Sequence, residues 1–117
     1  MSELEQLERK TRLWHIEKAA REIEEFVQGR TLQDYDTDGM LRLAIERNFT
    51  IIGEAMARAL ESDPDLVDRI TDAPGIIAFR NQIIHNYPRL RGETVWEIIT
   101  THLPLLLAEV RALLAEP

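Results

Sequence analysis

The chain has 117 residues, of which 44% are hydrophobic and 30% are charged, so it can bury one core but is too short for two ordinary domains. Without cysteine it can form no disulfide framework, no thiolate zinc site and no cysteine nucleophile. A formal net charge of -7 argues against a protein that coats nucleic acid non-specifically. The apolar stretches are too short to cross a bilayer, and the N-terminus lacks the features of a secretory signal. We therefore expect a cytoplasmic protein that does not associate with a membrane.

Apolar residues recur at helical spacing along most of the chain, and turn residues mark where each helix ends. Gly29 is suited to cap the first helix, and the short connector at 31–35, which can form one turn of helix, leads into the second long helix. Pro64 starts a short helix, Pro88 stops the next one, and Pro104 should kink or break the last one. The predicted helices span residues 1–29, 38–61, 64–70, 75–86 and 94–115.

Three long helices and at least two short ones, joined by short loops, predict an all-α fold. No segment alternates as a strand would, no internal repeat is evident, and no linker divides the chain. We expect a single antiparallel helical bundle over residues 1–117.

The segment Asp34-Tyr35-Asp36-Thr37-Asp38-Gly39 resembles the start of a calcium-binding loop. Such a loop needs a bidentate glutamate at its twelfth position, which here is Ile45, with Glu46 one residue late. The alternative is that Asp36, Thr37 or Asp38 caps the helix that follows. The spacing favours capping, and we expect no bound metal and no cofactor.

The second long helix carries three unusual residues. Gly53 lies in the helix interior, where glycine costs about 1 kcal/mol relative to alanine, and this suggests a close helix approach or no role. Glu54 precedes Arg58 by four residues, so a surface ion pair is favoured over the alternative that Glu54 supports a cation on a facing helix. Asn48 falls within the apolar stripe and would need a hydrogen-bond partner.

The segment at 79–88, Phe-Arg-Asn-Gln-Ile-Ile-His-Asn-Tyr-Pro, carries most of the functional argument. Arg80 falls near the centre of the apolar face of the predicted helix, so it must meet a carboxylate, a polar interface or an anion. Asn81 and His85 are spaced i, i+4 and share a neighbouring face. Tyr87 precedes a proline, which directs it out of helical geometry. Taken singly, His85 can be a cation at a helix end and Tyr87 a packed ring.

This segment resembles the RxxxxHxY motif of HEPN-domain proteins, and in particular of the HepT-like toxins of HepT/MntA-type toxin–antitoxin systems. Arg80, His85 and Tyr87 stand at the motif positions. The stretch at 46–55, Glu-Arg-Asn-Phe-Thr-Ile-Ile-Gly-Glu-Ala, and the stretch from Val95 to Pro104 are similar to other helices of that family. The resemblance covers most of residues 13–115, with Pro88 replacing an expected aromatic residue or glycine.

The resemblance implies a homodimeric helical bundle that cleaves RNA without a metal ion. It also implies a partner, a small nucleotidyltransferase antitoxin that attaches AMP to the motif tyrosine, here Tyr87, in a homodimer or a larger hetero-oligomer. Arg80 and His85 would be catalytic, with Asn81 in support. Cleavage needs a base and an acid, and since each chain offers one motif histidine, a two-fold dimer would supply both.

Two other functions fit less well. The same residues would suit a non-catalytic subunit that binds a nucleotide or docks the nucleotidyltransferase. A ferritin-like metal carrier would need Glu-x-x-His pairs, and none of the three histidines has a glutamate three residues before it.

Overall fold

The computed structural model describes residues 1–85 and 90–117, and all regular secondary structure in these ranges is helical. The all-α prediction is therefore confirmed. A 3₁₀ turn spans Pro64–Asp68 and a π-helical turn spans Ile98–His102. The α-helices are α1 (Glu3–Val27), α2 (Leu32–Thr37), α3 (Gly39–Ser62), α4 (Ala73–His85), α5 (Gly92–Glu97) and α6 (Leu103–Leu114).

Helix α1 packs along both α3 and α6, and α4 packs on another face of α3. Arg9, near the start of α1, pairs at 2.9 Å with Asp63, which follows the end of α3. Farther from these ends, the side-chain amide of Asn48 in α3 donates to the backbone carbonyl of Ala19 in α1. The start of α1 thus lies beside the end of α3, and the two helices are antiparallel. This confirms the predicted antiparallel bundle.

Capping residues set the helix ends, as the sequence predicted. Gly29 follows α1 with a φ of 74°, in the left-handed region that glycine adopts without steric cost. Thr31 and Asp34 form a capping box at the start of α2. The side chain of Asp38 accepts hydrogen bonds from the backbone N–H groups of Met40 and Leu41 at the start of α3. The capping interpretation of residues 34–39 is confirmed.

One polar side chain, Asn48, is buried within the bundle core. Its amide donates to the carbonyl of Ala19 at 3.1 Å and to the carboxylate of Glu22 at 3.0 Å. The partner that its position required is therefore supplied by α1. The apolar core of the bundle includes side chains with no exposed surface, among them Leu13, Ile16, Ile45, Met56 and Val110.

The last predicted helix is interrupted before Pro104, which confirms the expected break. In the π-helical turn the N–H of Leu103 donates to the carbonyl of Ile98, five residues earlier. Pro104 has no N–H and its ring would clash with the carbonyl four residues before it in a regular α-helix. The wider π-helical turn avoids that clash, and it separates α5 from α6.

Candidate functional site

Helix α4 carries Arg80, and its stem is held by the surface of α3. The stem of Arg80 packs directly against Gly53 of α3. A Cβ atom built at Gly53 would lie 2.2 Å from Cβ and 2.6 Å from Cγ of Arg80. The side chain of Arg80 is only 21% exposed. The close helix approach that Gly53 suggested is therefore present, and its function is to admit the stem of Arg80.

The guanidinium of Arg80 faces a carboxylate of α3. Its Nη1 lies 3.9 Å from Oε1 of Glu54, whose side chain is 59% exposed. The favoured pairing of Glu54 with Arg58 is wrong, because Arg58 pairs instead with Glu61 at 3.8 Å. Local spacing favoured the i, i+4 pair, but the approach of α4 brings a second cation within reach of Glu54.

The inner part of the same guanidinium is buried without a hydrogen bond. Within the described chain, Nε of Arg80 has no solvent contact and no acceptor. A buried N–H without a partner costs about 1–3 kcal/mol, so the packing of the stem must outweigh that cost. The outer nitrogens, by contrast, lie near a single, mostly exposed carboxylate at a long distance. They are therefore accessible to a competing anion.

Asn81 and His85 lie on the outward side of α4. Both are exposed, and His85 is the last residue of the helix, where a cation is favoured by the helix dipole. Tyr87 lies outside the described residues, as do Asn86, Pro88 and Arg89. The structure thus places Arg80 against α3 and leaves Asn81 and His85 open.

Several apolar residues of α4 remain on the surface. Ala73 is the only residue of the helix that is buried, and Ile84, directly before His85, is 51% exposed. Ile77, Phe79 and Ile83 are only partly buried against the core. The residues that the structure describes therefore leave an apolar face of α4, the helix that carries Arg80 and His85, uncovered.

An apolar cleft lies beside α4, but its lining does not include Arg80, Asn81 or His85. It has a volume of about 330 Å³ and is lined largely by apolar side chains. Phe49 and Phe79 meet in it edge to face, with ring centroids 5.1 Å apart. The candidate chemistry thus lies on an open surface and not in this cleft.

The part of the chain that the structure describes has neither a cluster of metal-binding side chains nor a membrane-spanning helix. There, no group of three or more histidine, aspartate or glutamate side chains is arranged to hold a metal ion. No helix in residues 1–85 or 90–117 has the length and apolar character needed to span a bilayer.

A family comparison now bears on the motif helix. The family model described as Ribonuclease HepT-like matches residues 16–113, which is most of the chain and includes α4. This chain belongs to the HepT-like ribonuclease family. The predicted resemblance is therefore confirmed, and RNA is the substrate class that membership implies.

Two curated relatives agree with this HepT-like assignment. The first, from Methanocaldococcus jannaschii, is named "Putative RNase MJ0127" and is 24% identical over 106 residues, covering 89% of this chain and 85% of the relative. The second, from Caldanaerobacter subterraneus subsp. tengcongensis, is named "Putative RNase TTE0752" and is 28% identical over 102 residues, covering 87% and 90%. No solved structure matches the HepT-like chain.

Proposed function

We propose that this HepT-like protein is the toxin of a toxin–antitoxin system and a metal-independent endoribonuclease that acts in the cytoplasm. The observation that carries the proposal is the arrangement of the motif residues on α4 in a chain that belongs to a ribonuclease family. On this helix, Arg80 is held against α3 while Asn81 and His85 remain open to a ligand. An exposed imidazole and a partly exposed guanidinium on one short helix suit the binding and cleavage of a phosphodiester.

The proposed reaction uses the 2′-hydroxyl of RNA as the nucleophile. One His85 removes the proton from that hydroxyl while its oxygen forms a bond to phosphorus. The bond from phosphorus to the 5′-oxygen breaks, and a second, protonated His85 donates a proton to the leaving oxygen. Arg80 stabilises the negative charge that develops on the phosphoryl oxygens, and Asn81 orients His85 or the phosphate. No metal ion is needed in this scheme.

A homodimer would bring the two histidines together. The uncovered apolar face of α4 supports this arrangement because Ile84, half exposed beside His85, would be covered by a second copy of the helix. We expect Ile84→Glu to shift the protein towards monomer in sedimentation equilibrium and to lower its activity. Leu43→Glu, which alters an exposed leucine of α3, serves as the control and should leave the dimer intact. A dimer unaffected by Ile84→Glu would contradict this interface.

Neutralisation is proposed to occur at Tyr87. The cognate nucleotidyltransferase antitoxin would transfer AMP from ATP to the phenolic oxygen and release pyrophosphate. The added phosphate would repel the phosphates of RNA that Arg80 and His85 would otherwise bind. Incubation with the antitoxin and ATP should add the mass of AMP to wild type and none to Tyr87→Phe. A wild-type protein of unchanged mass would contradict this part of the proposal.

The ribonuclease proposal is tested directly with purified protein and RNA in the presence of a chelator. His85→Ala should lower the cleavage rate by about 10²- to 10⁴-fold, as expected for the loss of a general acid–base group. Arg80→Ala should lower it by about 10²- to 10³-fold, through lost charge stabilisation. His102→Ala, which removes another exposed histidine, should cleave as wild type does.

Three outcomes would contradict the proposal. If His85→Ala cleaves as fast as wild type, His85 is not catalytic, and if the chelator abolishes cleavage, the enzyme is not metal-independent. The third outcome is a wild type that cleaves no RNA but still binds a nucleotide or the nucleotidyltransferase. The last result would favour the non-catalytic docking subunit. In cells, expression without the antitoxin should arrest growth for wild type and not for His85→Ala.

A further inference from the structure

Gly53 occupies a position where a helix ordinarily favours another residue. It lies in the interior of α3 and is buried, and glycine there is less favourable than alanine. A compensating interaction is therefore expected, and the surroundings of Gly53 identify it. The atoms that a Cβ would meet first are Cβ and Cγ of Arg80, at 2.2 and 2.6 Å, followed by the carbonyl oxygen of Ile76 at 3.5 Å.

These distances define a slot on α3 that the stem of Arg80 fills. Real Cβ contacts do not occur at 2.2 Å, so any side chain at Gly53 must displace α4 or the arginine. Neither atom of Arg80 is the free end of a flexible chain, since Cβ is fixed by the backbone of α4 and Cγ adjoins it. The slot therefore fixes the base of the arginine side chain, from which the guanidinium extends.

The next residue along α3 acts on the other end of the same side chain. The carboxylate of Glu54 lies 3.9 Å from Nη1 of Arg80, while Nε between stem and tip is buried. Consecutive residues of α3 thus constrain the arginine at its base and at its tip. An arginine side chain that is not constrained in this way loses more rotamer freedom when it binds an anion.

We propose that Gly53 is a positioning residue for Arg80: its missing side chain forms the slot that sets the depth and direction of the guanidinium presented to the RNA phosphate. This inference rests on the proposed function. The inference extends the proposed function, because it makes the activity of Arg80 depend on a residue that touches neither the substrate nor the reacting atoms. A misplacement of about 1 Å in a catalytic group can lower a rate about 10²-fold.

The main test is Gly53→Ala, with Gly39→Ala as the matched control. Both changes add one methyl group to α3, but a Cβ at Gly39 meets only the Nη2 atom of Arg42, at an ordinary 3.6 Å. Gly53→Ala should lower kcat for RNA cleavage by about 10- to 100-fold, and Gly39→Ala should leave it unchanged. A Gly53→Ala enzyme with wild-type kcat would overturn the proposal.

A second readout does not depend on catalysis. The buried N–H at Nε of Arg80 should exchange slowly with solvent in the NMR spectrum of wild type and of Gly39→Ala. In Gly53→Ala it should exchange rapidly, because the stem no longer fits its slot. Unchanged protection would overturn the positioning role. If wild type cleaves no RNA but this exchange difference is seen, the ribonuclease proposal fails and the positioning of Arg80 stands.

A rescue variant covers the case in which Gly53→Ala does not fold. Combining it with Arg80→Gly removes the atoms that a Cβ at position 53 would meet. The double variant should therefore fold and have a higher Tm than Gly53→Ala alone. If instead Arg80→Gly adds its own loss of stability to that of Gly53→Ala, the two residues do not share the slot and the proposal is overturned.

Discussion

Helices α3 and α4 lie side by side, yet they are held in the molecule to very different degrees. Nine residues of α3 are buried, and it packs against both α1 and α4. Only Ala73 of α4 is buried, although this helix is rich in isoleucine. The position of α3 is thus set by the core, whereas α4 is held along one face. The residues proposed for catalysis lie on the helix whose other face is free to meet RNA or a second copy.

The sharpest way to test this contrast is to remove apolar side chains from both helices. Met56→Ala in α3 removes a side chain with no exposed surface and should lower the free energy of unfolding by about 2–5 kcal/mol. Ile84→Ala in α4 removes a half-exposed side chain and should cost less than about 1 kcal/mol in the monomer. Urea denaturation at low protein concentration measures both. Equal losses would show that α4 is as firmly packed as α3.

A second prediction compares the same substitution on the two helices. Asn48→Asp replaces the buried amide of α3 with a carboxylate that faces the carbonyl of Ala19 and the carboxylate of Glu22. With the amide donor lost and like charges opposed, the variant should lose about 1–3 kcal/mol of stability at neutral pH. Asn81→Asp, on the exposed side of α4, should change the Tm little. Similar melting curves for the two variants would contradict the burial of Asn48.

A third prediction concerns the contact between the two helices. Glu54→Gln removes the negative charge that competes with an RNA phosphate for Arg80, so KM should fall. The guanidinium also loses its orienting partner, so kcat should fall as well, each by about two- to fivefold, as for an exposed ion pair. Glu61→Gln, which unpairs Arg58 elsewhere on α3, is the control. If KM and kcat are unchanged in Glu54→Gln, Glu54 has no role in orienting Arg80.

The smallest expected effect is at the start of α3. Backbone hydrogen bonds, above all that from Leu41, hold the pKa of Asp38 below its ordinary value. The charged cap therefore stabilises the fold above the unfolded-state pKa, and this contribution is lost as the pH falls through the folded pKa. Asp38→Asn can still accept the same bonds but cannot titrate. Its Tm should fall less on acidification than that of wild type, and parallel profiles would contradict this.

The sequence predicted local features well because their causes are local. Gly29 and Asp38 mark helix ends through their own backbone and side-chain preferences, and the long helices begin and end close to the predicted residues. Pro104 likewise acts on the turn that immediately precedes it.

The features that sequence reasoning missed depend on contacts between distant segments. The spacing of Asn48 showed that it needed a partner, but Ala19 and Glu22 could be identified only from the packing of α1. Glu54 was assigned to the wrong arginine because no local pattern reveals how closely α4 approaches α3. Gly53 gave a signal, as a glycine within a helix, but only the packing shows that Arg80 fills the space. The functional roles of Arg80, Asn81, His85 and Tyr87 stay predictions.

The π-helical turn at Ile98–His102 has a consequence for the variation that this region can accept. Val95, Ile99 and Leu103 are buried and are spaced four residues apart. In a regular α-helix, with 3.6 residues per turn, side chains at this spacing would gradually rotate around the helix. The π-helical turn contains one extra residue and so keeps the three side chains on the same face. A turn of this kind absorbs one extra residue, so α6 still packs against α1. Deleting one residue here together with Pro104→Ala should yield a continuous helix, a natural starting point for engineering a shorter scaffold.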